Sequence, residues 1–336
     1  MEHGPPWWRV DLCQRALIMR VMQGKLTSPS VLGALLERHG IRLRSELGQH
    51  FLADGNILAR IVELTEARGD ETAVEVGAGA GTLTCALAPR VQELVAVEVD
   101  RRLIPVLEET TAFHPNVRVV QGDFRELPLA SFGNGILVVG NLPYGITSDV
   151  LLKLIREREA VERAVFMVQA EVGVKLIAPP GPEASRLGVH LRAYFDVEVV
   201  RKVPRTVFFP PPEVNSALIR LRKLPRPRIA VREDWFEWTL ATLFAARRKT
   251  LRSALATRVP VANVDRLLAE AGLDPKVRGE TLPIEALDQL ATAVGQAGLI
   301  SSRRSPGVAE GVDRSSGRAK GRGGGGTSGP PGGDDA

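Results

Sequence analysis

Between about residues 46 and 222 the chain alternates short runs rich in β-branched residues with stretches of helical periodicity. The runs are AVEVG (73–77), LVAVEV (94–99), VRVVQ (117–121), ILVVG (136–140) and AVFMVQ (164–169). They are largely apolar and look like buried strands of a parallel sheet. The segments 81–90, 101–112 and 147–157 read as helices between them. This order predicts an α/β doubly wound sheet. Beyond the Pro/Arg-rich KLPRPR (223–228), residues 232–298 carry helical periodicity and no run that reads as a strand. The expected organisation is an irregular extension (1–30), a sheet domain (31–226), a small all-helical C-terminal domain (227–300) and a tail (301–336).

The tail holds 11 of the chain's 33 glycines and almost nothing that could build a core, so it is expected to be disordered. Trp7 and Trp8 in the extension have no physical account from sequence. No run of about 18 apolar residues occurs, which argues against a membrane span, and the N-terminus lacks a secretory pattern. Cys13 and Cys85 are the only cysteines, too few for a disulfide framework or a zinc cluster, which suits a cytoplasmic protein without metal. The 336 residues carry 44 Lys and Arg against 39 Asp and Glu, a net charge of +5. That excess is compatible with a polyanionic partner, and the position of the basic residues decides the matter.

The stretch VEVGAGAGTLT places Gly77, Gly79 and Gly81 directly after the first run and at the start of a helix. Glycines there permit a tight turn and a close approach of the backbone to a ligand. Glu98 ends the next strand, 21 positions after Gly77, where a carboxylate can accept from both hydroxyls of a ribose. The loop is G-x-G-x-G, shorter than the dinucleotide form, and no Walker lysine follows. With no pyrophosphate to cradle, S-adenosyl-L-methionine leads over NAD as the cofactor. Asp123 in QGDF, at the third strand end, is placed to accept from an adenine amino group.

The run VVGNLPYG (138–145) ends a buried strand in an amide, a proline and a tyrosine. A simple turn would use the same residue types. The alternative is a pocket for a flat ring bearing an amine. Such an amine is a poor nucleophile because its lone pair is delocalised into the ring. The side-chain oxygen of Asn141, with a backbone carbonyl near Leu142 or Pro143, can accept both N–H hydrogens and free the lone pair. Proline stiffens the loop, and Tyr144 offers a face for stacking. Catalysis would then be orientation plus electrostatics.

With these motifs in order, the chain resembles the ribosomal RNA adenine dimethyltransferases, most closely the type that modifies small-subunit rRNA (KsgA/RsmA type), over about residues 30–298. LGQHFLADGNIL resembles the family's LGQNFL segment, which helps cover the cofactor. RTVFFPPPEVNSALIRL resembles the loop completing the adenine pocket, and FAARRKTLRSAL the family's helical domain. The resemblance implies a class I (Rossmann-like) methyltransferase sheet of seven strands, the last antiparallel. It implies cofactor contacts at His50, Leu52, Gly77, Glu98, Asp123 and Asn141, with Gly79 in the same loop. Tyr144 and Phe208 would sandwich the target base, with Phe209 the near neighbour of Phe208. The implied activity is N6,N6-dimethylation of adenines in a hairpin loop of 16S rRNA, during ribosome biogenesis. The partner would be the small ribosomal subunit, with the protein monomeric. His50 stands where the family usually has Asn; a neutral imidazole can still donate one hydrogen bond and accept one. Gly145 stands where a larger residue is usual.

Arg247, Arg248, Lys249 and Arg252 form a basic run expected within a helical stretch. With the cations of RLRKLPRPR (220–228), they make a candidate clamp for the rRNA backbone. A target adenine in a loop leaves its stack more cheaply than one in a duplex. The rival readings are a resistance-type enzyme acting on 23S rRNA and a non-catalytic RNA-binding assembly or transcription factor. Release-factor glutamine and DNA adenine methyltransferases share the pocket logic but lack FFPPPEVNSAL and RRKTLR.

Overall fold

In chain order, a computed structural model of the protein contains α1 (Pro29–Arg38), β1 (Phe51–Leu52), α2 (Gly55–Thr65), β2 (Thr72–Val76), α3 (Thr82–Leu87) and β3 (Glu93–Glu98). Then follow α4 (Ile104–Thr111), β4 (Val117–Gln121), β5 (Ile136–Asn141), α5 (Thr147–Arg156) and β6 (Val161–Gln169). Next come α6 (Ala170–Ile177), α7 (Arg186–Arg192), β7 (Phe195–Val203), β8 (Phe208–Phe209) and β9 (Ser216–Lys223). Last are α8 (Glu233–Ala245), α9 (Leu251–Leu255), α10 (Val261–Glu270) and α11 (Ile284–Gln296). The structure describes residues 26–41 and 50–299. Most of the N-terminal extension, residues 47–49 of LGQHFL and the Gly-rich tail lie outside them.

All five expected strand runs are strands, and two more complete the sheet: the order is β4-β3-β2-β5-β6-β9-β7. The β4-β3-β2-β5-β6 pairs are parallel, and β9 runs antiparallel to both β6 and β7. The last strand is therefore the antiparallel one, as the resemblance implies. Strand order reverses between β2 and β5, and ligands of open α/β sheets bind in the crevice at such a switch. The glycine loop follows β2, and Asn141 ends β5. Topology alone thus brings the two candidate motifs together.

The central strands β2, β3, β5 and β6 are buried on both faces, which is why they read as largely apolar runs, whereas the edge strands β4 and β7 are partly exposed. On one face Leu58, Ile61 and Val62 of α2 pack against Val165, Met167 and Leu218. On the other, one apolar cluster runs from Val138 and Phe166 through Leu151 and Leu154 to Phe236, Leu240, Leu267 and Leu290. The C-terminal helices are therefore built into the same core as the sheet.

Two buried charges deserve a physical account. Arg163 on β6, 5% exposed, donates from Nε to the Thr65 carbonyl (2.6 Å) and from Nη2 to the Glu66 carbonyl (2.9 Å) and to Glu71 Oε1 (2.5 Å). It thereby caps carbonyls that the end of α2 leaves without helical partners, where Glu66 turns left-handed at φ 48°. Glu75 on β2 is buried and accepts from Thr84 Oγ1 at 2.6 Å. Burial pushes its pKa from 4.5 up to about 8, so the folded protein holds a proton there.

Removing Arg163 leaves the buried Glu71 with only the half-exposed Arg68, 3.4 Å away, and strips the Thr65 and Glu66 carbonyls of their donor. Arg163→Met should therefore lower unfolding stability by roughly 3–5 kcal/mol, and Arg163→Met with Glu71→Leu should recover most of it. Chemical denaturation checks this; a single-variant loss under about 1 kcal/mol would contradict it. For Glu75, the folded state keeps a proton that the unfolded chain releases above 4.5. Stability should fall as pH rises from 4.5 towards 8, and Glu75→Gln should flatten that slope in thermal unfolding across the window.

Candidate active site

Gly77, Gly79 and Gly81 have φ of 70°, 59° and 83°, the left-handed region that only glycine enters freely. A Cβ on Gly81 would lie 2.5 Å from Thr110 Oγ1, so the turn also needs the missing side chain. Contrary to the sequence expectation, the loop's N–H groups are turned inward. Gly77 and Ala78 donate to the Val97 carbonyl (2.9 and 3.0 Å), Gly79 to Glu98 Oε2 (2.8 Å) and Gly81 to the Ala78 carbonyl (2.9 Å). These amides leave no cradle for a pyrophosphate, in contrast with dinucleotide and P-loop sites.

Glu98, 6% exposed, is held at both oxygens, since Oε1 accepts from the Asp100 N–H at 2.9 Å. Burial raises its pKa, and the two backbone donors oppose that rise. Asp123 at the end of the β4 turn accepts from Arg125 Nε at 3.0 Å to each oxygen and from Nη2 at 2.6 Å. The fork holds its carboxyl below the usual carboxylate range, so it is an acceptor-only anion.

Asn141 is fixed by a bond whose direction matters. Its Nδ2 donates to the His50 carbonyl at 2.7 Å, so the amide oxygen is left to accept. The next N–H, of Leu142, donates to the Met167 carbonyl at 3.0 Å, which ties the loop to β6. Pro143 O accepts from the Ile146 N–H at 3.1 Å and closes the turn into α5. Tyr144 Oη lies 3.4 Å from Ser216 Oγ, and its ring centroid is 6.1 Å from that of His50.

Phe51–Leu52 and Phe208–Phe209, far apart in sequence, form a two-stranded ribbon: Phe51 pairs with Phe209 and Leu52 with Phe208. His50 Nδ1 donates to the Pro210 carbonyl at 2.8 Å. The carbonyl can only accept, so Nδ1 is a nitrogen that carries a hydrogen.

His50, Leu52, Gly77, Gly79, Glu98, Asp123, Asn141 and Pro143 line one cavity of about 300 Å³. Phe208 does not line it. That ring, 4% exposed, is buried with Leu52 and Leu218, because residues 208 and 209 of a strand face opposite sides. Leu142 is also buried and reaches the site through its backbone. Sequence reasoning missed Glu75, Val99, Phe124 and Arg125, which share the lining. Val99, an apolar residue 66% exposed beside Glu98, is the one with a sequence signal, since an exposed valine directly after a strand-end acid needs a reason. Acidic side chains outnumber basic ones in the lining even with Glu75 protonated, and the inward-turned loop amides offer no cradle for a phosphate.

The basic run differs from its expected form. Arg247, Arg248 and Lys249 lie in the turn between α8 and α9, because Thr250 Oγ1 caps a new helix by accepting from the Ser253 N–H. Arg247 is engaged inside the chain, with Nη2 donating to the carbonyls of Pro182 (2.6 Å) and Ala184 (2.9 Å). Arg252 forks onto Asp265 at 2.7 and 3.0 Å. In 220–228, Arg220 pairs with Glu198 (2.6 Å), Arg222 with Glu66, Lys223 with Glu159 (3.5 Å) and Arg228 with Asp196 (2.8 Å). The expected free basic surface there is mostly neutralised. Among the described residues of the run, Arg248 and Lys249 remain exposed without an ion pair.

The sequence model of the ribosomal RNA adenine dimethylases matches residues 40–294. A "ribosomal RNA small subunit methyltransferase A" of Bacillus mycoides is 41% identical over 283 residues, covering 80% of this chain and 97% of that protein. A Bacillus cereus protein of the same name shows the same identity and coverage. Among solved structures, the 23S rRNA methyltransferase ErmE aligns with a TM-score of 0.59 at 31% identity, over 73% of this chain and 100% of that one. A dimethyladenosine transferase from Plasmodium falciparum aligns at 0.65 and 23% identity, over 73% and 97%, and shows the fold alone. With a match across most of its length and the glycine loop, strand-end acids and NLPY turn gathered at one cavity, the chain belongs to the ribosomal RNA adenine dimethylase family.

Proposed function

We propose that this chain methylates the exocyclic amine of adenines in a loop of small-subunit rRNA twice, with S-adenosylmethionine as the methyl donor. The observation that carries the reading is the orientation of Asn141, whose donation to the His50 carbonyl presents the amide oxygen as an acceptor at the cavity wall. The choice of subunit rests on the relatives called small subunit methyltransferases, at 41% identity against 31% for ErmE. The reaction belongs in the cytoplasm, where ribosomal subunits are built; among the described residues no helix is long and apolar enough to cross a membrane.

When bound, S-adenosylmethionine supplies an electrophilic methyl group. The residues supply position. Glu98 accepts from the ribose hydroxyls, and Asp123 accepts from the cofactor's adenine amine. Asn141 Oδ1 takes one N–H of the target amine. Of the two carbonyls anticipated for the other, that of Pro143 already accepts within the turn, so Leu142 O takes this role. With both hydrogens held, the nitrogen becomes pyramidal and its lone pair is aimed. Tyr144 stacks on one face of the base. Phe208 supplies the second face only by turning out of the core. No general base is required, because the alkylated ammonium loses its proton to water.

RNA binding is carried by Arg248 and Lys249 in the α8–α9 turn of the helical domain, with Arg247 and Arg252 shaping the region. Such contacts position the substrate without reading sequence.

Purified protein should transfer labelled methyl to unmethylated small subunits. Asn141→Ala should lose about 100-fold or more in kcat, since it removes an acceptor made strongest in the transition state. Label found only on large-subunit RNA would overturn the substrate, and full activity in the variant would overturn the mechanism. Replacing Arg248 and Lys249 by Ala should weaken RNA binding and reduce the log–log salt slope by about 1.5. Arg252→Ala should leave that slope nearly unchanged. Salt titrations of both variants check the assignment.

A further inference from the structure

Arg125 lines the cavity, yet neither the glycine loop, the strand-end acids nor the NLPY turn accounts for it. It follows Asp123 by two residues, in the one-turn helix Phe124–Glu126 that Asp123 itself caps by accepting the Arg125 N–H at 2.9 Å. Backbone and side chain of Arg125 thus both bind one carboxylate. The guanidinium does more than neutralise it. Nε and Nη2 grip the two oxygens, and Nη1 reaches out to Asp149 Oδ2 at 3.2 Å. Asp149 sits in the first turn of α5, the helix entered directly from Pro143, Tyr144 and Ile146. A planar guanidinium that holds carboxylates at both ends fixes direction as well as charge.

We propose that Arg125 is a positioning residue that sets the adenine selectivity of the cofactor site: it locks the orientation of Asp123 and ties it to the helix behind the NLPY turn. An Asp side chain beside solvent populates several rotamers, and the cap bond from the Arg125 N–H holds only one of its two oxygens. Gripped by the fork, Asp123 keeps a fixed lone pair towards the cavity, where an amine at the purine 6-position would donate to it. A 6-oxo purine has no hydrogen there and meets an anion oxygen to oxygen. The discrimination depends on the carboxylate being held, because a free side chain can turn away from the 6-oxo group. The anchor at Asp149 is half-exposed and weak alone. Its part is geometric, keeping the guanidinium in plane with Asp123.

This inference rests on the proposed cofactor, and the test separates the two. Calorimetric titration of the full chain would use S-adenosylhomocysteine and S-inosylhomocysteine, which differ at position 6 and in the hydrogen that the 6-oxo ring carries on N1. Wild type is expected to favour the adenosyl compound by about tenfold or more. Arg125→Ala should bind the adenosyl compound about tenfold more weakly and the inosyl compound within about twofold of wild type, erasing the preference. In methyl transfer the same variant should raise the KM for the cofactor and leave kcat at saturation within about twofold. An equal loss for both ligands, or a preserved preference, would overturn the role of Arg125 while leaving the cofactor assignment standing. Wild type binding neither compound would overturn both.

Discussion

The hydrogen bond from Asn141 Nδ2 to the His50 carbonyl decides what the site can do. An amide is symmetric in shape and opposite in polarity at its two ends, so a flipped Asn141 would offer donors to an amine that is itself a donor. The bond prevents the flip, and it draws on two distant parts of the chain. His50 is placed by the ribbon of Phe51–Leu52 with Phe208–Phe209, and Asn141 by the end of β5. A residue that departs from the family's usual Asn therefore serves through its backbone. Its imidazole is engaged elsewhere, by the Pro210 carbonyl.

Much of this was legible from the residues. The largely apolar runs of the central strands declared themselves as parallel strands because burial on both faces leaves little alternation to confuse. The glycine loop and Glu98 declared a ligand site because few other uses need that spacing. β7 was harder to read. It is an edge strand, largely exposed along Glu198, Arg201 and Lys202, so its composition resembles that of a loop. The basic run was misread as helical because a sequence of Arg and Lys carries no signal for the cap that Thr250 provides. Charge was the least legible property. Glu66, Glu159, Glu198 and Asp265 are scattered through the sequence, and only the fold brings them to the arginines and lysines they neutralise. Net charge thus overstates the surface available to RNA.

The side-chain facing of Phe208 shows a similar limit. A motif match fixes a position along the chain, whereas the pleat of a strand fixes the side towards which it points. Here Phe208 is in the core and Phe209 packs towards α1, against Gly33. The same register that buries Phe208 also places Leu52 opposite it, so the two cannot be considered separately.

A methyl donor is consumed at every turnover, and its spent form has to leave before the second methyl can be added. The amides at the turn after β2 bond to Val97, Glu98 and Ala78 and so do not depend on the nucleoside for their partners. Departure of the spent nucleoside strips no backbone bond from that turn and leaves no local refolding to be undone. On the proposed reading, two successive transfers to one nitrogen can therefore reuse the same turn, its backbone bonds unchanged.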